Sequence, residues 1–248
     1  MNAAQKPLRS LGSAGKIIVA IDGPAGAGKS TIARRLARRF GLLNLETGAM
    51  YRAFALKALR AGLSLDSIED LEKLAAQTHI RLEAGGDENR VLLDGEDVTA
   101  ILREQSVTDA ASRVSVFPAI RAWMVRLQQE MGAGGGVVME GRDIGTVVFP
   151  HANVKIFLDA APEVRGMRRF DQLGPKPTVQ PDEVIRDLRE RDERDRSRAD
   201  SPLKAAPDAV LLDSTSMTLE EVVQAAEEIV TSRLAVSATP HQPKIDKA

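Results

Sequence analysis

A glycine-rich segment has the residue types and the spacing needed to hold phosphate groups. It matches the pattern G-x-x-x-x-G-K-[ST] in full and reads Gly23-Pro24-Ala25-Gly26-Ala27-Gly28-Lys29-Ser30. In such a loop the backbone N–H groups converge on phosphate oxygens, the lysine reaches the β- and γ-phosphates, and the hydroxyl ligates Mg²⁺. The sequence therefore predicts a nucleoside triphosphate site formed by these eight residues and Thr31.

A second polar cluster follows the apolar run 137–139. Glu140 comes directly after this predicted strand, where a P-loop protein usually keeps a metal-directing acid, so we expect Ser30 and Glu140 to hold the metal, directly or through water. Arg142 and Asp143 then emerge at the carboxyl edge of the sheet, where ligands of open α/β folds bind. The alternative is an ordinary surface ion pair between these two residues.

A highly charged run extends from Asp182 to Asp200. It has six arginines and eight acidic residues, so its net charge is −2 and it does not favour a polyanion-binding arm. As a helix it would place four residues on one face, Arg191, Arg194, Asp195 and Arg198. Guanidinium groups focused in this way suit a transferring phosphoryl group, because they bind phosphate oxygens in pairs. A solvated helix of salt bridges is the competing interpretation.

The segment 46–52 lies about one helix after the phosphate loop, at the end of a predicted second strand. We expect Thr47 to cap the next helix, which places Tyr51 and Arg52 in its early turns. A capped surface helix with an ordinary arginine is the alternative.

The elements that position these residues alternate along the chain. Short apolar runs at 16–21, 137–139, 154–158 and 209–212 predict buried strands, and helices are predicted near 49–62, 117–131, 162–173 and 182–198. This alternation predicts an α/β fold with a mainly parallel sheet.

Turn residues at 85–87 and 94–95 separate short alternating runs and predict a hairpin. We therefore expect a core of 16–63 and 113–235 with a lid at 171–181, an insert at 64–112, and disordered tails at 1–15 and 236–248.

The composition excludes several classes of protein. The 248 residues carry a net charge of −1 and only 3% aromatic residues, which disfavours a nucleic-acid-binding surface. There is no cysteine, so disulfides and thiol nucleophiles are excluded. No apolar run approaches the ~20 residues of a membrane helix, and no segment predicts a secretory signal. We expect a cytoplasmic protein without a nucleic-acid or membrane partner.

Taken together, the motifs resemble the bacterial cytidylate kinases, a branch of the P-loop nucleoside monophosphate kinases. The resemblance covers about residues 17–234 and rests on the segments 21–30, 47–52, 141–150 and 190–196. It implies a parallel five-stranded sheet flanked by helices, with an insert that binds the monophosphate. It also implies transfer of the ATP γ-phosphoryl group to CMP or dCMP with Mg²⁺, by a monomer.

The resemblance also implies individual roles. Arg52, Arg142 and Arg198 would clamp the acceptor phosphate, and Ser112, Arg121 and Asp143 would read cytosine. Arg191 and Asp195 would contact the sugar, with Thr47 and Tyr51 also in the CMP site, and Arg194 would reach the transferring phosphates from the lid. The catalytic set is then Lys29, Arg142, Arg194 and Arg198. The chain departs from the family's more usual aspartate at Glu140 and serine at Thr47, and both departures keep the functional group.

Two other functions stay open at this stage. A P-loop kinase for another small acceptor, such as UMP or a metabolite, would share most of these motifs. A P-loop ATPase that acts as a switch would share only the phosphate loop, and the short chain without a basic or aromatic surface disfavours it.

Overall fold

The computed structural model describes residues 17–83, 89–172 and 179–237. The predicted N-terminal tail, the turn at 85–87, the lid residues 173–178 and the tail from 238 onward lie outside the described residues. The strands are β1 (Ile18–Asp22), β2 (Leu43–Glu46), β3 (Ile80–Glu83), β4 (Arg90–Leu93), β5 (Glu96–Asp97), β6 (Val137–Gly141), β7 (Val154–Asp159) and β8 (Val210–Asp213). The helices are α1 (Lys29–Phe40), α2 (Thr47–Arg60), α3 (Ile68–Ala76), α4 (Gln105–Val114), α5 (Pro118–Gly132), α6 (Pro162–Asp171), α7 (Pro181–Arg196) and α8 (Leu219–Ser237).

The predicted parallel sheet is confirmed, with five strands in the order β2-β6-β1-β7-β8. The central strand β1 pairs with β6 on one side and β7 on the other, so Asp22 lies beside Gly141 and Phe157 at the carboxyl edge. Each crossover between parallel strands needs a covering helix. Because these strands are parallel, the loops that follow β1, β2 and β6 lie together at the carboxyl edge of the sheet.

The two faces of the sheet are packed by different helices. On one face, Val19 and Ile21 of β1 share a core with Ile32 of α1 and Ala226 of α8. On the other face, Ala20 belongs to a separate core against which α5 packs. This alternation follows from the period of two in a strand, and it explains why β1 is apolar at every position before Asp22.

The predicted hairpin is also confirmed, as strands β3 and β4 in antiparallel register with a third short strand, β5. Asp94 and Gly95 both have positive φ, 51° and 91°, which is the conformation required at the two central residues of this tight turn. These strands share one hydrophobic core with α2, α4 and α5. In that core the Phe54 and Trp123 rings lie 5.1 Å apart.

Candidate active site

The phosphate loop joins β1 to α1 through three glycines with positive φ, Gly23, Gly26 and Gly28. A Cβ at Gly23 would lie 1.9 Å from the Leu158 carbonyl oxygen, so the loop backbone passes too close to β7 for any side chain there. Gly28 immediately precedes α1, whose first N–H groups are therefore directed into the loop. This arrangement has the backbone geometry that anion sites use, and phosphate binding by the loop stays a prediction.

Lys29 is 6% exposed and its Nζ donates to the Pro24 carbonyl at 2.7 Å, folded over the loop. Burial, followed by the nearby positive charge of Arg142, lowers the pKa of Lys29 to about 7. Arg191 also lowers this pKa, so the positive charges of both arginines act on the lysine of the phosphate loop. The negative charge of a bound polyphosphate would raise the pKa of Lys29 again.

The two candidate metal ligands lie together. Glu140 is the last residue but one of β6, is 4% exposed, and has the Ser30 hydroxyl within hydrogen-bonding reach. Burial and then Glu46 raise the pKa of Glu140. Its Oε1 is buried without a hydrogen-bond partner in the part of the chain that the structure describes, so an acceptor oxygen is left for a cation. Oxygen ligands of this type, completed by phosphates, fit Mg²⁺.

Asp195 on α7 forms the centre of an arginine cluster. Its Oδ2 accepts from Arg142 Nε at 2.8 Å, and its Oδ1 accepts from Arg198. Burial would raise the pKa of Asp195, but Arg142, Arg198 and Arg191 outweigh it and lower that pKa. For Arg191, burial and then Arg142 lower the pKa to about 10. Two guanidinium groups therefore bond one carboxylate and a third acts on it through its charge, so a further anion would be stabilised among them.

The expected helical face is only partly right. Helix α7 ends at Arg196, and Arg198 lies beyond it, yet Arg198 still reaches both Asp195 and the Ser115 hydroxyl. Arg194 is exposed, and its Nε donates to the Glu190 carbonyl at 3.4 Å within the same helix. The structure therefore brings Arg191, Asp195 and Arg198 together and does not bring Arg194 to the cluster.

The capping role expected of Thr47 is wrong. Glu46 occupies the cap position without a side-chain bond, and Thr47 is the first helical residue. Its hydroxyl instead donates to the Glu140 carbonyl at 2.8 Å, tying α2 to the end of β6. Arg52 does fall in an early turn of α2, where it donates to the Glu46 carboxylate while its Nε stays buried without a partner among the described residues.

A cluster of buried polar side chains lies between α4, α5 and the loop after β6. Arg121 Nη2 donates to Asp143 Oδ2 at 2.5 Å, and the two side chains are 5% and 9% exposed. The Arg121 guanidinium lies 6.0 Å from the Tyr51 ring centre, and burial raises the pKa of Tyr51 to about 12. Ser112 Oγ and Arg121 Nε are buried without hydrogen-bond partners in the described ranges. Both a donor and a hydroxyl are therefore available to a polar ring.

The sequence matches the family model for cytidylate kinase over residues 19–232, which is most of the chain. The chain belongs to the cytidylate kinase family. A cytidylate kinase from Solibacter usitatus is 50% identical over 222 residues, covering 88% of this chain and 94% of the relative. A cytidylate kinase from Vibrio cholerae is 45% identical over 218 residues, covering 88% and 97% respectively. A shikimate kinase structure from Acinetobacter baumannii covers 90% of this chain and 96% of its own at 16% identity, with a TM-score of 0.43.

Within this cytidylate kinase fold, Asp22 is a site residue that sequence reasoning missed. Its Oδ1 and Oδ2 accept from the N–H groups of Ile144 and Gly145 at 2.8 and 2.7 Å. Burial raises the pKa of Asp22 to about 6. These two bonds fix the π-helical turn 144–148 and therefore the position of Asp143 just before it. A carboxylate placed directly between a buried strand and Gly23 was the signal that could have revealed it.

Sequence reasoning also missed Arg165 and Asp192. Each lies in a segment with several other charged residues, and the sequence does not show which of them is buried. They form a buried pair, with Nη2 and Oδ2 2.6 Å apart and side chains 1% and 3% exposed.

In the described ranges, no helix combines the length and the apolar character that a membrane span requires.

Proposed function

We propose that this protein transfers the γ-phosphoryl group of ATP to CMP or dCMP, giving ADP and CDP or dCDP. The observation that carries the proposal is the cluster of Arg142, Arg191 and Arg198 around the buried Asp195, since the charges of Arg142 and Arg191 act on Lys29 of the phosphate loop. Two polyanions must meet during phosphoryl transfer, and a cationic cluster facing a phosphate loop offsets their repulsion. Membership of the cytidylate kinase family supports the acceptor.

On the donor side, we assign the triphosphate to the loop residues 23–28, to Lys29 and to Thr31. The loop amides and the N-terminus of α1 hold phosphate oxygens, and Lys29 exchanges its bond to the Pro24 carbonyl for one to phosphate. Ser30 and Glu140 would hold Mg²⁺, which when bound neutralises charge on the phosphates. The unpartnered Glu140 Oε1 supports this assignment.

On the acceptor side, we assign the CMP phosphate to Arg52, Arg142 and Arg198. Arg52 and Arg198 keep buried Nε groups without partners in the described part of the chain, which a phosphate oxygen would satisfy. Arg191 and Asp195 lie beside them and are assigned to the sugar. The acceptor oxygen already carries negative charge, so it needs positioning and not a dedicated base.

We assign base recognition to the pocket of Ser112, Arg121 and Asp143, with Tyr51 and Thr47 lining the approach from α2. Cytosine presents an exocyclic amine, which a carboxylate or hydroxyl oxygen accepts, and a ring nitrogen and carbonyl, to which an arginine donates. Uracil has a carbonyl in place of the amine and would face the Asp143 carboxylate without a hydrogen bond. A buried polar pocket of this kind supports strong discrimination.

Arg194 is assigned to a closing step. Arg194 is exposed near the end of α7, the helix that follows the predicted lid in the sequence, and this suits a side chain that reaches the transferring phosphates only on closure. Closure also excludes water, which limits hydrolysis of ATP. We propose that the enzyme acts as a monomer in the cytoplasm.

A coupled assay of ADP release tests the proposal with five acceptors, CMP, dCMP, UMP, AMP and shikimate, at equal concentration. We expect turnover with CMP and dCMP that exceeds the other three by a large factor. Preferred turnover of UMP or shikimate would favour a kinase for another acceptor. ADP release that does not depend on any acceptor would favour an ATPase switch.

A further inference from the structure

A single buried guanidinium joins the phosphate loop to two helices. Arg165 on α6 is 1% exposed. Its Nε donates to the Ala160 carbonyl at 2.7 Å, its Nη1 donates to the Ala25 carbonyl at 2.9 Å, and its Nη2 lies 2.6 Å from Asp192 Oδ2 on α7. Ala25 belongs to the phosphate loop. Arg165 therefore connects the donor site directly to α7.

The surrounding backbone is packed closely enough to transmit small shifts. A Cβ at Gly26 would lie 3.1 Å from the Arg165 carbonyl oxygen, so the loop rests on α6. A Cβ at Gly166 would lie 2.2 Å from Ile185 Cγ1, so α6 and α7 are in contact at the next residue. Close-packed elements move together and do not absorb displacement by compression.

Helix α7 also carries residues of the acceptor cluster. Arg191 immediately precedes Asp192, and Asp195 follows Asp192 by three residues, a rise of about 4.5 Å along the helix. Asp195 accepts from Arg142 at 2.8 Å. One turn of α7 is thus held to the phosphate loop through Asp192 and to the acceptor arginines through Asp195.

We propose that the Arg165–Asp192 pair is a positioning element through which ATP in the phosphate loop raises the affinity of the acceptor site for CMP. This inference rests on the function proposed above. When Lys29 leaves the Pro24 carbonyl for phosphate, the loop backbone at Ala25 shifts. Arg165 moves with the Ala25 carbonyl, and Asp192 moves with Arg165. The resulting shift of α7 brings Arg191 and Asp195 into the positions in which they bind CMP.

The geometry of the pair suits this role. Neither Asp192 oxygen lies in line with a donor N–H in the described ranges, so the contact with Arg165 is ionic and tolerates a small change of angle. A second pair, Arg189 and Glu163, also joins α7 to α6, but both side chains are 57% exposed and neither bonds the loop. It offers a matched control for an ion pair between the same helices.

The test measures CMP binding by calorimetry, with and without a non-hydrolysable ATP analogue and Mg²⁺. In the wild type we expect CMP to bind on the order of 5- to 150-fold more tightly with the analogue present. In Asp192→Asn this ratio falls toward one, while CMP affinity without the analogue stays within about threefold of wild type. Glu163→Gln keeps the wild-type ratio.

A double variant, Arg165→Met with Asp192→Leu, removes both charges, and apolar replacement of a buried pair is often neutral. Because it also leaves the Ala160 and Ala25 carbonyls without their donor, its folding is first checked by thermal unfolding. Loss of the ratio in this folded variant supports the proposal. A wild-type ratio of one, or a ratio retained in either variant, overturns it. If the wild type shows the binding ratio but releases no ADP in the coupled assay with ATP and CMP, the proposed function fails instead.

Discussion

The buried pair of Arg121 and Asp143 allows a quantitative test of base recognition through Asp143→Asn. Asp143 Oδ2 accepts from Arg121, so in the variant the amide oxygen keeps that bond and the amide N–H₂ faces the base. The amine of cytosine, a hydrogen-bond donor, then faces the amide N–H₂, which is also a donor. The carbonyl of uracil can instead accept a hydrogen bond from that N–H₂. Two unsatisfied donors at about 1–3 kcal/mol each lower kcat/KM for CMP by about 30-fold or more.

The same substitution leaves the Arg121 charge buried without its partner. With side chains 5% and 9% exposed, loss of one partner costs about 3 kcal/mol, the lower end for buried pairs because the amide still accepts one bond. For a chain of this size that cost lowers Tm by about 6–12 °C. Asp66→Asn is the matched control, since Arg113 and Asp66 lie 2.7 Å apart but are 49% and 77% exposed, and its cost is below about 1 kcal/mol.

Initial rates with CMP and UMP, measured side by side with a coupled ADP assay, give the ratio of the two kcat/KM values. We expect Asp143→Asn to lower this CMP-to-UMP ratio at least tenfold, and Asp66→Asn to leave it unchanged. A lowered Tm with an unchanged ratio would refute the role of Asp143 in base reading. An unchanged Tm would refute the energy assigned to the pair.

Five further variants are informative. Arg142→Ala should lower turnover on the order of 10³-fold, by analogy with arginine fingers, and near-wild-type kcat and KM for CMP would contradict its assignment. With the pKa of Lys29 near 7, its amine is largely neutral at pH 8, so ADP binding should take up nearly one proton per site in calorimetry across buffers, and Lys29→Met should abolish this uptake. Gly23→Ala should lose at least about 2 kcal/mol of stability in denaturant unfolding, because its Cβ would meet a backbone carbonyl of β7. Gly62→Ala, with positive φ but open space, should lose less. Arg194→Ala should lower kcat at least tenfold without changing Tm, and an unchanged kcat would remove Arg194 from the reaction.

Local sequence patterns were sufficient for the elements but not for their arrangement. The apolar runs predicted β1, β6, β7 and β8 because a strand covered on both faces needs apolar side chains at successive positions. The alternation at Ile80–Glu83 and the Asp94–Gly95 turn predicted the hairpin. The insertion of β6 between β1 and β2 was not predictable, since it is decided by packing between segments about a hundred residues apart.

In the candidate site, too, local motifs were predictable from the sequence and contacts between distant segments were not. The phosphate loop was predictable because its function depends on neighbouring residues, and the loop itself is found as expected. Arg121 and Ser112 were named only through resemblance, because they stand on helices far along the chain from Asp143. The end of α7 before Arg198 was missed because the charge pattern continues past Ser197.

The tilted pair of aromatic rings in the core has a practical consequence. The chain has one tryptophan, Trp123, and it lies against Phe54 in the core shared by α2, α5 and the strands β3 and β4. The one tyrosine, Tyr51, faces Arg121 in the pocket assigned to the base. Intrinsic fluorescence therefore reports on the acceptor half of the molecule alone, and each emission belongs to a single known position without any engineered label.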